Sequence, residues 1–191
     1  MAFLNLKFVY RTKNFVYIYF RSVNWTSQTA TAIQESTLMQ RKTKQSHELS
    51  QIVELVKNGL TPAVRNTVVS LIVIDVHARD VVERLINKQI SSLNDFEWVS
   101  TMRYYLTKSV EDPNEPTVNI EMISTTIEYG FEYLGNTSRL VVTPLTERCY
   151  RTLMGALKMN LGGAPEVSEF RHLELICRKK QQIIAPDQLL V

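Results

Sequence analysis

Apolar residues recur at helical spacing along the first half of the chain. The i, i+3, i+4, i+7 spacing of a single buried helix face is seen at Leu49, Ile52, Val53 and Val56. Ser46 precedes this face as a candidate N-cap, and Gly59 follows it as a stop signal. The pattern predicts a helix between them, preceded by a polar and basic loop or helix end at Thr37–Ser46.

A second start signal, Thr61-Pro62, opens a long apolar segment that runs to Gln89. Its middle, VVSLIVIDV, is β-branched and by composition would suit a buried strand. No turn signal interrupts the segment, and helical spacing continues at Val76, Val81, Leu85 and Ile86. We therefore expect one long helix.

Another helix start is indicated by Ser92 with Asp95, or by Asn94 with Glu97, since each pair fits a cap with an acidic first turn. Mixed apolar helix faces would then be formed by Phe96, Trp98, Val99, Met102 and either Tyr105 or Leu106. A loop is expected at residues 111–116, which contain two prolines and three acids.

After Pro116 the apolar residues alternate with polar ones. This period of two, typical of half-buried strands, is carried by Val118, Ile120 and Met122 and then by Ile127, Tyr129, Phe131 and Tyr133. The pattern predicts an α+β, mainly helical chain, in which helices give way to short strands near residue 115.

The apolar run Leu140–Val142 leads into Thr143-Pro144, a cap followed by a proline suited to the first helical position. The next helix should stop near Asn160, before Gly162-Gly163. We expect one apolar face on it, made by Leu145, Cys149, Leu153, Ala156 and Leu157.

Composition adds few constraints. The chain has 191 residues, a net charge of +3, 45% hydrophobic residues and 21% charged residues, as in an ordinary folded soluble protein. We expect no nucleic-acid partner and no membrane partner, because the charge is small and Lys7, Arg11 and Lys13 interrupt the aromatic N-terminus. Two unrelated cysteines, Cys149 and Cys177, favour a reducing, intracellular compartment.

Two long stretches resemble dynein heavy chains. These are VIDVHARDVVERLINKQISSLNDFEWVSTMRYY at Val73–Tyr105 and YGFEYLGNTSRLVVTPLTERCYRTLMGALKMNLGGAPE at Tyr129–Glu166. The resemblance covers roughly Asn24–Glu166 and is closer to the axonemal, ciliary heavy chains than to the cytoplasmic one. It implies the end of the linker and the start of the first AAA+ module of an ATP-driven, minus-end-directed microtubule motor.

The resemblance also implies a division of the chain. Residues 22–115 would be the C-terminal part of the helical linker, and residues 116–166 the N-terminal part of the module. Residues 1–21 are of unclear origin, and residues 167–191 form a tail outside the family. By resemblance, the adenine side of the nucleotide pocket would be lined by Leu140, Val141, Val142, Thr143, Pro144 and Leu145; the alternative is that these residues are ordinary core.

In the family, GGAPE runs directly into the phosphate-binding (Walker A) loop, whereas here Glu166 is followed by VSEFRHLELICRKK. The chain contains no Gly-x-x-x-x-Gly-Lys-Ser/Thr word, whose lysine and hydroxyl hold the phosphates and magnesium. We expect a fragment or truncated form that binds ATP or ADP with Mg²⁺ only in the parent motor and has no catalytic residues of its own.

The implied partners are the intermediate, light intermediate and light chains of a dynein complex and, through the parent motor, microtubules. The implied location is the cytoplasm and cytoskeleton, in a cilium or axoneme. The alternative is a small helical binding or scaffold protein that associates with dynein subunits.

The sequence gives weaker support for other kinds of functional site. A catalytic cluster of Asp75, His77, Arg79 and Asp80 is less plausible than a solvated or salt-bridged helix surface, since these positions do not share one helix face. The three histidines lack paired metal-ligand spacing, so we expect no metal site. Cys149 is expected in a core, Glu128 and Glu132 on a solvated strand edge, and the basic residues Arg178–Lys180 at a solvated helix end.

Overall fold

The computed structural model describes residues 14–57, 59–108, 116–129 and 141–162. Five helices and three strands follow one another in these segments. They are α1 (Asn14–Gln34), α2 (Leu38–Lys57), α3 (Pro62–Asn87), α4 (Phe96–Val99), β1 (Arg103–Lys108), β2 (Pro116–Met122), β3 (Thr125–Glu128) and α5 (Pro144–Lys158). The mainly helical α+β class predicted from the sequence is confirmed. No helix in the described segments is long and apolar enough to span a bilayer.

The first three helices pack on one another around a shared apolar core. Trp25 and Ile33 of α1 meet Val82 and Leu85 of α3 there, and Trp98 of α4 completes the cluster. The Trp25 and Trp98 rings are tilted, with their centroids 5.9 Å apart, a spacing that favours aromatic pairing. The core therefore ties α4 to the long helices.

Helix α2 begins earlier than predicted. The expected loop or helix end at Thr37–Ser46 is helical from Leu38 onward, so Ser46 is not an N-cap. Arg41 and Gln45 are buried, 7% and 0% exposed. They continue the buried face at positions where the sequence shows no apolar residue.

Helix α3 matches the prediction. Pro62 occupies its first turn, Thr61 is the N-cap with an extended backbone, and the helix continues to Asn87 through the β-branched middle. The Thr61 side chain makes no capping hydrogen bond. The length of the segment and its uninterrupted helical spacing were therefore better guides than the β-propensity of its middle. Burial against α1 and α2 supports the helix.

The region after α3 differs from the prediction. Neither Ser92 nor Asn94 is the N-cap of α4. Asp95 occupies that position but makes no side-chain capping hydrogen bond, and its carboxylate instead accepts hydrogen bonds from the Ser91 and Ser92 amides before the helix. The helix ends after four residues at Val99. Residues 103–108, predicted to continue helical faces, instead form the strand β1.

The three strands form an antiparallel sheet in the order β1-β2-β3, with Tyr104 opposite Ile120 and Ile120 opposite Ile127. The predicted alternation in β2 is confirmed, because Val118, Ile120 and Met122 are at most 2% exposed. Phe131 and Tyr133 lie outside the described residues. The sheet is tied to α1 by the Tyr104 amide, which donates to Thr26 Oγ1 at 3.0 Å.

Helix α5 covers the sheet, with Tyr150, Leu153 and Met154 packed on Tyr104, Val118 and Ile120, among others. Its bounds agree with the prediction, but its buried face is Thr146, Glu147, Tyr150, Leu153 and Met154. The predicted face was wrong by about one residue: Leu145 is 54% exposed and Cys149 is only partly buried. Leu153 is common to both faces, and Leu157 of the predicted face also packs against this core.

Candidate functional site

The junction that precedes α5 is exposed. Val141 and Leu145 are 63% and 54% exposed. Thr143 and Pro144 are also exposed, whereas Val142 is partly buried against the core under α5. Leu140, the first of the six predicted adenine-side residues, lies outside the described residues. The alternative prediction of ordinary core therefore fits Val142 but not Val141 or Leu145.

A reciprocal cap fixes the start of α5. The Thr143 amide donates to Thr146 Oγ1 at 2.8 Å, and the Thr146 amide donates to Thr143 Oγ1 at 3.3 Å. These bonds satisfy amide groups that a helix N-terminus otherwise leaves without acceptors. The cap, together with Pro144 at the first position, holds the backbone of the junction in one conformation.

Glu147, in the first turn of α5, joins that helix to α3. Arg84 donates from Nη1 to Glu147 Oε2 at 2.6 Å and from Nη2 to Glu147 Oε1 at 3.1 Å. Glu147 is 6% exposed, so this two-point ion pair is largely shielded from water. Arg84 also lies 3.7 Å from a carboxylate oxygen of Glu97 and 3.5 Å from Thr101 Oγ1.

His77 lies beside the same carboxylate, with its Nε2 3.7 Å from Glu147 Oε1. Burial lowers the pKa of His77 below its usual value, and the neighbouring Arg84 charge acts in the same direction, while Glu147 opposes them. The hydrogen bond to Glu147 raises the pKa of Arg84. The arrangement is therefore a two-point Arg–Glu ion pair beside a histidine whose burial favours its neutral form.

Asp75, His77, Arg79 and Asp80 do not form one site. Asp75 is 1% exposed and accepts two hydrogen bonds from Arg21 of α1, both at 2.9 Å. Arg79 and Asp80 instead pair with each other at the surface. The salt-bridged alternative is confirmed, although Asp75 is buried rather than solvated.

A cavity of about 70 Å³ lies between α1, α3, the sheet and α5. Its walls include Trp25, Asp75, His77, Val142 and Glu147. A cavity of this size holds a few waters, whereas ligand pockets measure about 300–1,000 Å³. A nucleotide base therefore does not fit here, and its candidate contact surface is the exposed junction at Val141 and Leu145.

Sequence reasoning missed the Arg84–Glu147 pair. The two residues are 63 positions apart, and each looks like an ordinary charged position on an amphipathic helix. The available signal was positional: Glu147 is in the first turn of one helix and Arg84 is in the last turn of another. Both positions favour these charges electrostatically, but nothing in the sequence pairs them.

The remaining candidates show no concentrated chemistry. No group of three or more His, Cys, Asp or Glu side chains able to hold a metal ion occurs in the described part of the chain. Cys149 is a free thiol. Glu128 accepts a hydrogen bond from Thr117 Oγ1 across the sheet edge at 2.8 Å. Glu132, Cys177 and Arg178–Lys180 lie outside the described residues.

The region around this junction matches a known protein family, and the chain has similar known proteins. A family model described as the hydrolytic ATP binding site of the dynein motor region matches residues 129–168. Dynein axonemal heavy chain 3 of Mus musculus is 54% identical over 145 residues, 76% of this chain. The chain is homologous to axonemal dynein heavy chains. The resemblance deduced from Val73–Tyr105 and Tyr129–Glu166 is thereby confirmed.

Other dynein heavy chains give the same result. Dynein axonemal heavy chain 3 of Homo sapiens is 50% identical over 145 residues, and dynein axonemal heavy chain 1 of Mus musculus is 47% identical over 142 residues. The chain spans only 3% of the length of each of these relatives. The matched family region contains the whole of α5 and its capped junction.

Proposed function

We propose that the chain supplies the connection between the linker and the first AAA+ module of an axonemal dynein heavy chain. Residues 22–115 would be the end of the linker and residues 116–166 the start of the module, with residues 1–21 and 167–191 flanking them. The observation that carries this proposal is the family match to residues 129–168. Strand β1 lies before this boundary and pairs with β2 beyond it, so the two parts share one sheet.

In this role the exposed junction forms the adenine side of the nucleotide pocket. The proposed lining is the six residues named from the sequence, Leu140, Val141, Val142, Thr143, Pro144 and Leu145. Apolar, exposed Val141 and Leu145 suit contact with a flat base, and the reciprocal cap at Thr143 holds them in place. Bound ATP with Mg²⁺ would supply the phosphoryl group whose transfer drives the motor.

The phosphate side of the nucleotide pocket, unlike the adenine side, has no matching motif in this chain. The sequence lacks the Gly-x-x-x-x-Gly-Lys-Ser/Thr word, and base contact alone contributes only part of nucleotide affinity. We therefore propose that the chain by itself binds ATP or ADP weakly and does not hydrolyse ATP. Its work would be mechanical: α1–α3 carry force, and the sheet with α5 joins them to the nucleotide-binding core.

The proposed setting is the cytoskeleton of a cilium or axoneme. There the segment would act within a heavy chain that moves toward microtubule minus ends and assembles with intermediate, light intermediate and light chains. The names of the axonemal relatives support the axonemal setting, and the family resemblance supports the direction of movement and the partner subunits.

ATP and ADP calorimetry on the purified chain tests the nucleotide part. The positive control is an axonemal heavy-chain motor that keeps its phosphate loop and carries residues 22–166 of this chain in place of its own segment. The same motor with V141S/L145S tests the base wall. We expect undetectable to weak binding by the chain and at least a tenfold loss of ATP affinity in the V141S/L145S motor. Tight, magnesium-dependent binding by the chain would refute the weak-binding proposal, and unchanged affinity in the variant motor would refute the base wall.

The alternative, a small helical binding or scaffold protein, is favoured by exposed apolar side chains on the helices. Phe20 of α1 and Met39 of α2 are 56% and 62% exposed, and such side chains can serve in protein–protein contact. Sedimentation of the chain with purified dynein intermediate and light chains, without nucleotide, separates the two functions. A stoichiometric complex that is lost in F20S/M39S would favour the scaffold.

A further inference from the structure

Two helix ends meet at the Arg84–Glu147 pair. Arg84 is the basic residue in the last turn of α3, and Glu147 is the acidic residue in the first turn of α5. Each charge is placed where the dipole of its own helix favours it. The pair therefore joins the end of one rigid element to the beginning of another.

The two-point geometry of the pair fixes the relative orientation of the two side chains as well as the distance between them. Two nearly parallel hydrogen bonds, at 2.6 and 3.1 Å, hold the guanidinium fork against the carboxylate. Glu147 is 6% exposed, so water cannot readily take the place of the arginine. A lysine would keep the charge at position 84 but lose the fork.

Arg84 also contacts α4 and the segment between α4 and β1. The same guanidinium lies 3.7 Å from Glu97 of α4 and 3.5 Å from Thr101, which precedes β1. Thr101 Oγ1 in turn donates to the Glu97 carbonyl at 3.0 Å. One side chain of α3 therefore contacts α5, α4 and the α4–β1 connection.

Glu147 follows the junction closely in space and sequence. Its amide donates to the Thr143 carbonyl at 2.9 Å, and Thr143 belongs to the reciprocal cap that fixes Val141–Leu145. We propose that the Arg84–Glu147 pair is the positioning contact that transmits nucleotide-dependent movement of the junction to helix α3. This proposal rests on the proposed function, because it requires a nucleotide at the junction.

The test uses an axonemal heavy-chain motor that carries this segment in place of its own. Three variants are compared: R84K, E147Q and the double variant R84K/E147Q. The matched control is R79Q, which removes an exposed ion pair with Asp80 from the same helix. The measurements are affinity for a fluorescent ATP analogue, ATPase rate, and microtubule gliding speed.

We expect R84K and E147Q each to keep ATP affinity within about twofold and to lower gliding speed per ATP hydrolysed at least threefold. The double variant should be no worse than either single variant, because both remove the same contact. R79Q should match the unmodified motor. A purely structural role would lower ATPase rate and gliding speed together and leave their ratio unchanged, which would overturn the proposal.

Failure of the two proposals can be told apart. If V141S/L145S leaves ATP affinity unchanged, the base wall is wrong, whatever the Arg84 variants do. If V141S/L145S weakens ATP binding while R84K keeps the ratio of speed to ATPase rate, only the coupling is wrong. Should R84K fail to fold, the charge-reversed motor R84E/E147R decides: recovery of the ratio relative to E147R alone supports the coupling, and no recovery refutes it.

Discussion

Replacement of Asp75 by Asn tests the buried ion pair that ties α1 to α3. Asp75 is 1% exposed and accepts two 2.9 Å hydrogen bonds from Arg21. Burial alone lowers the pKa of Arg21, but the hydrogen bonds to Asp75 raise it above its usual value. D75N keeps the shape of the side chain and removes its charge, which leaves the Arg21 charge short of a partner.

The expected cost follows from the burial of the pair. Removing one partner of a buried ion pair costs about 3–5 kcal/mol. Arg21 keeps Glu48, 2.9 Å away, and its side chain is 22% exposed, so we expect the lower end, about 3 kcal/mol. For a chain of this size each kcal/mol shifts the melting temperature by about 2–4 °C. D75N should therefore melt about 6–12 °C lower than the parent chain.

Urea unfolding of the purified chain, followed by circular dichroism, measures this cost, with D80N as the matched control. Asp80 pairs with Arg79 on the same helix but is exposed, so D80N should cost less than about 1 kcal/mol. The double variant R21M/D75L should be more stable than D75N, because it removes both charges from the buried site. Equal stability of D75N and D80N would refute the argument that the Arg21–Asp75 pair is buried and structural.

Three further predictions concern the cap, the core and pH. T143A removes the reciprocal cap of α5 and should cost about 1 kcal/mol in urea unfolding, whereas T152A, exposed on the same helix, should be near neutral; equal costs would contradict a role for the cap. L85A opens a cavity at a residue that is 0% exposed and should cost about 2–5 kcal/mol, whereas L106A, at a 64% exposed position, should change stability by less than about 0.5 kcal/mol. Burial lowers the pKa of His77 in the fold, so the unfolded chain takes up a proton first as pH falls, and stability should drop below about pH 6.5. H77N should make stability vary less between pH 7 and 5 than in the parent chain, and the exposed-site control H47N should not; identical pH profiles would exclude His77 as the cause.

The sequence predicted those elements in which regular apolar spacing coincides with a cap or proline signal. Helix α3, strand β2 and the start of α5 were each predicted from hydrophobic spacing together with cap or proline signals, and each is present. These are cases in which local preference and tertiary burial act in the same direction. The bounds of α5 were correct for the same reason, since Thr143 and Pro144 mark its start.

The two failures have different causes. The first turns of α2 were predicted as a loop or a helix end, because Arg41 and Gln45 occupy core-facing positions and interrupt the periodicity of apolar residues. The helical faces predicted after Phe96 were extended into β1, because Met102 and either Tyr105 or Leu106 continue their apolar spacing. The strand conformation of β1 depends on pairing with β2 and on the hydrogen bond from the Tyr104 amide to Thr26, contacts that are distant in sequence.

The difference between the predicted and the observed buried face of α5 shows how such distant contacts affect the candidate site. By hydrophobicity alone Leu145 would face the core, and the junction would be ordinary packing. The observed buried face is instead offset from the predicted one by about one residue, roughly 100° at 3.6 residues per turn. In that orientation Thr146 joins the cap, Glu147 binds Arg84 and Tyr150 packs on the sheet. Leu145 is thereby left exposed next to Val141. The contact between Arg84 and Glu147, which the sequence could not pair, therefore accompanies the exposed apolar surface at the junction.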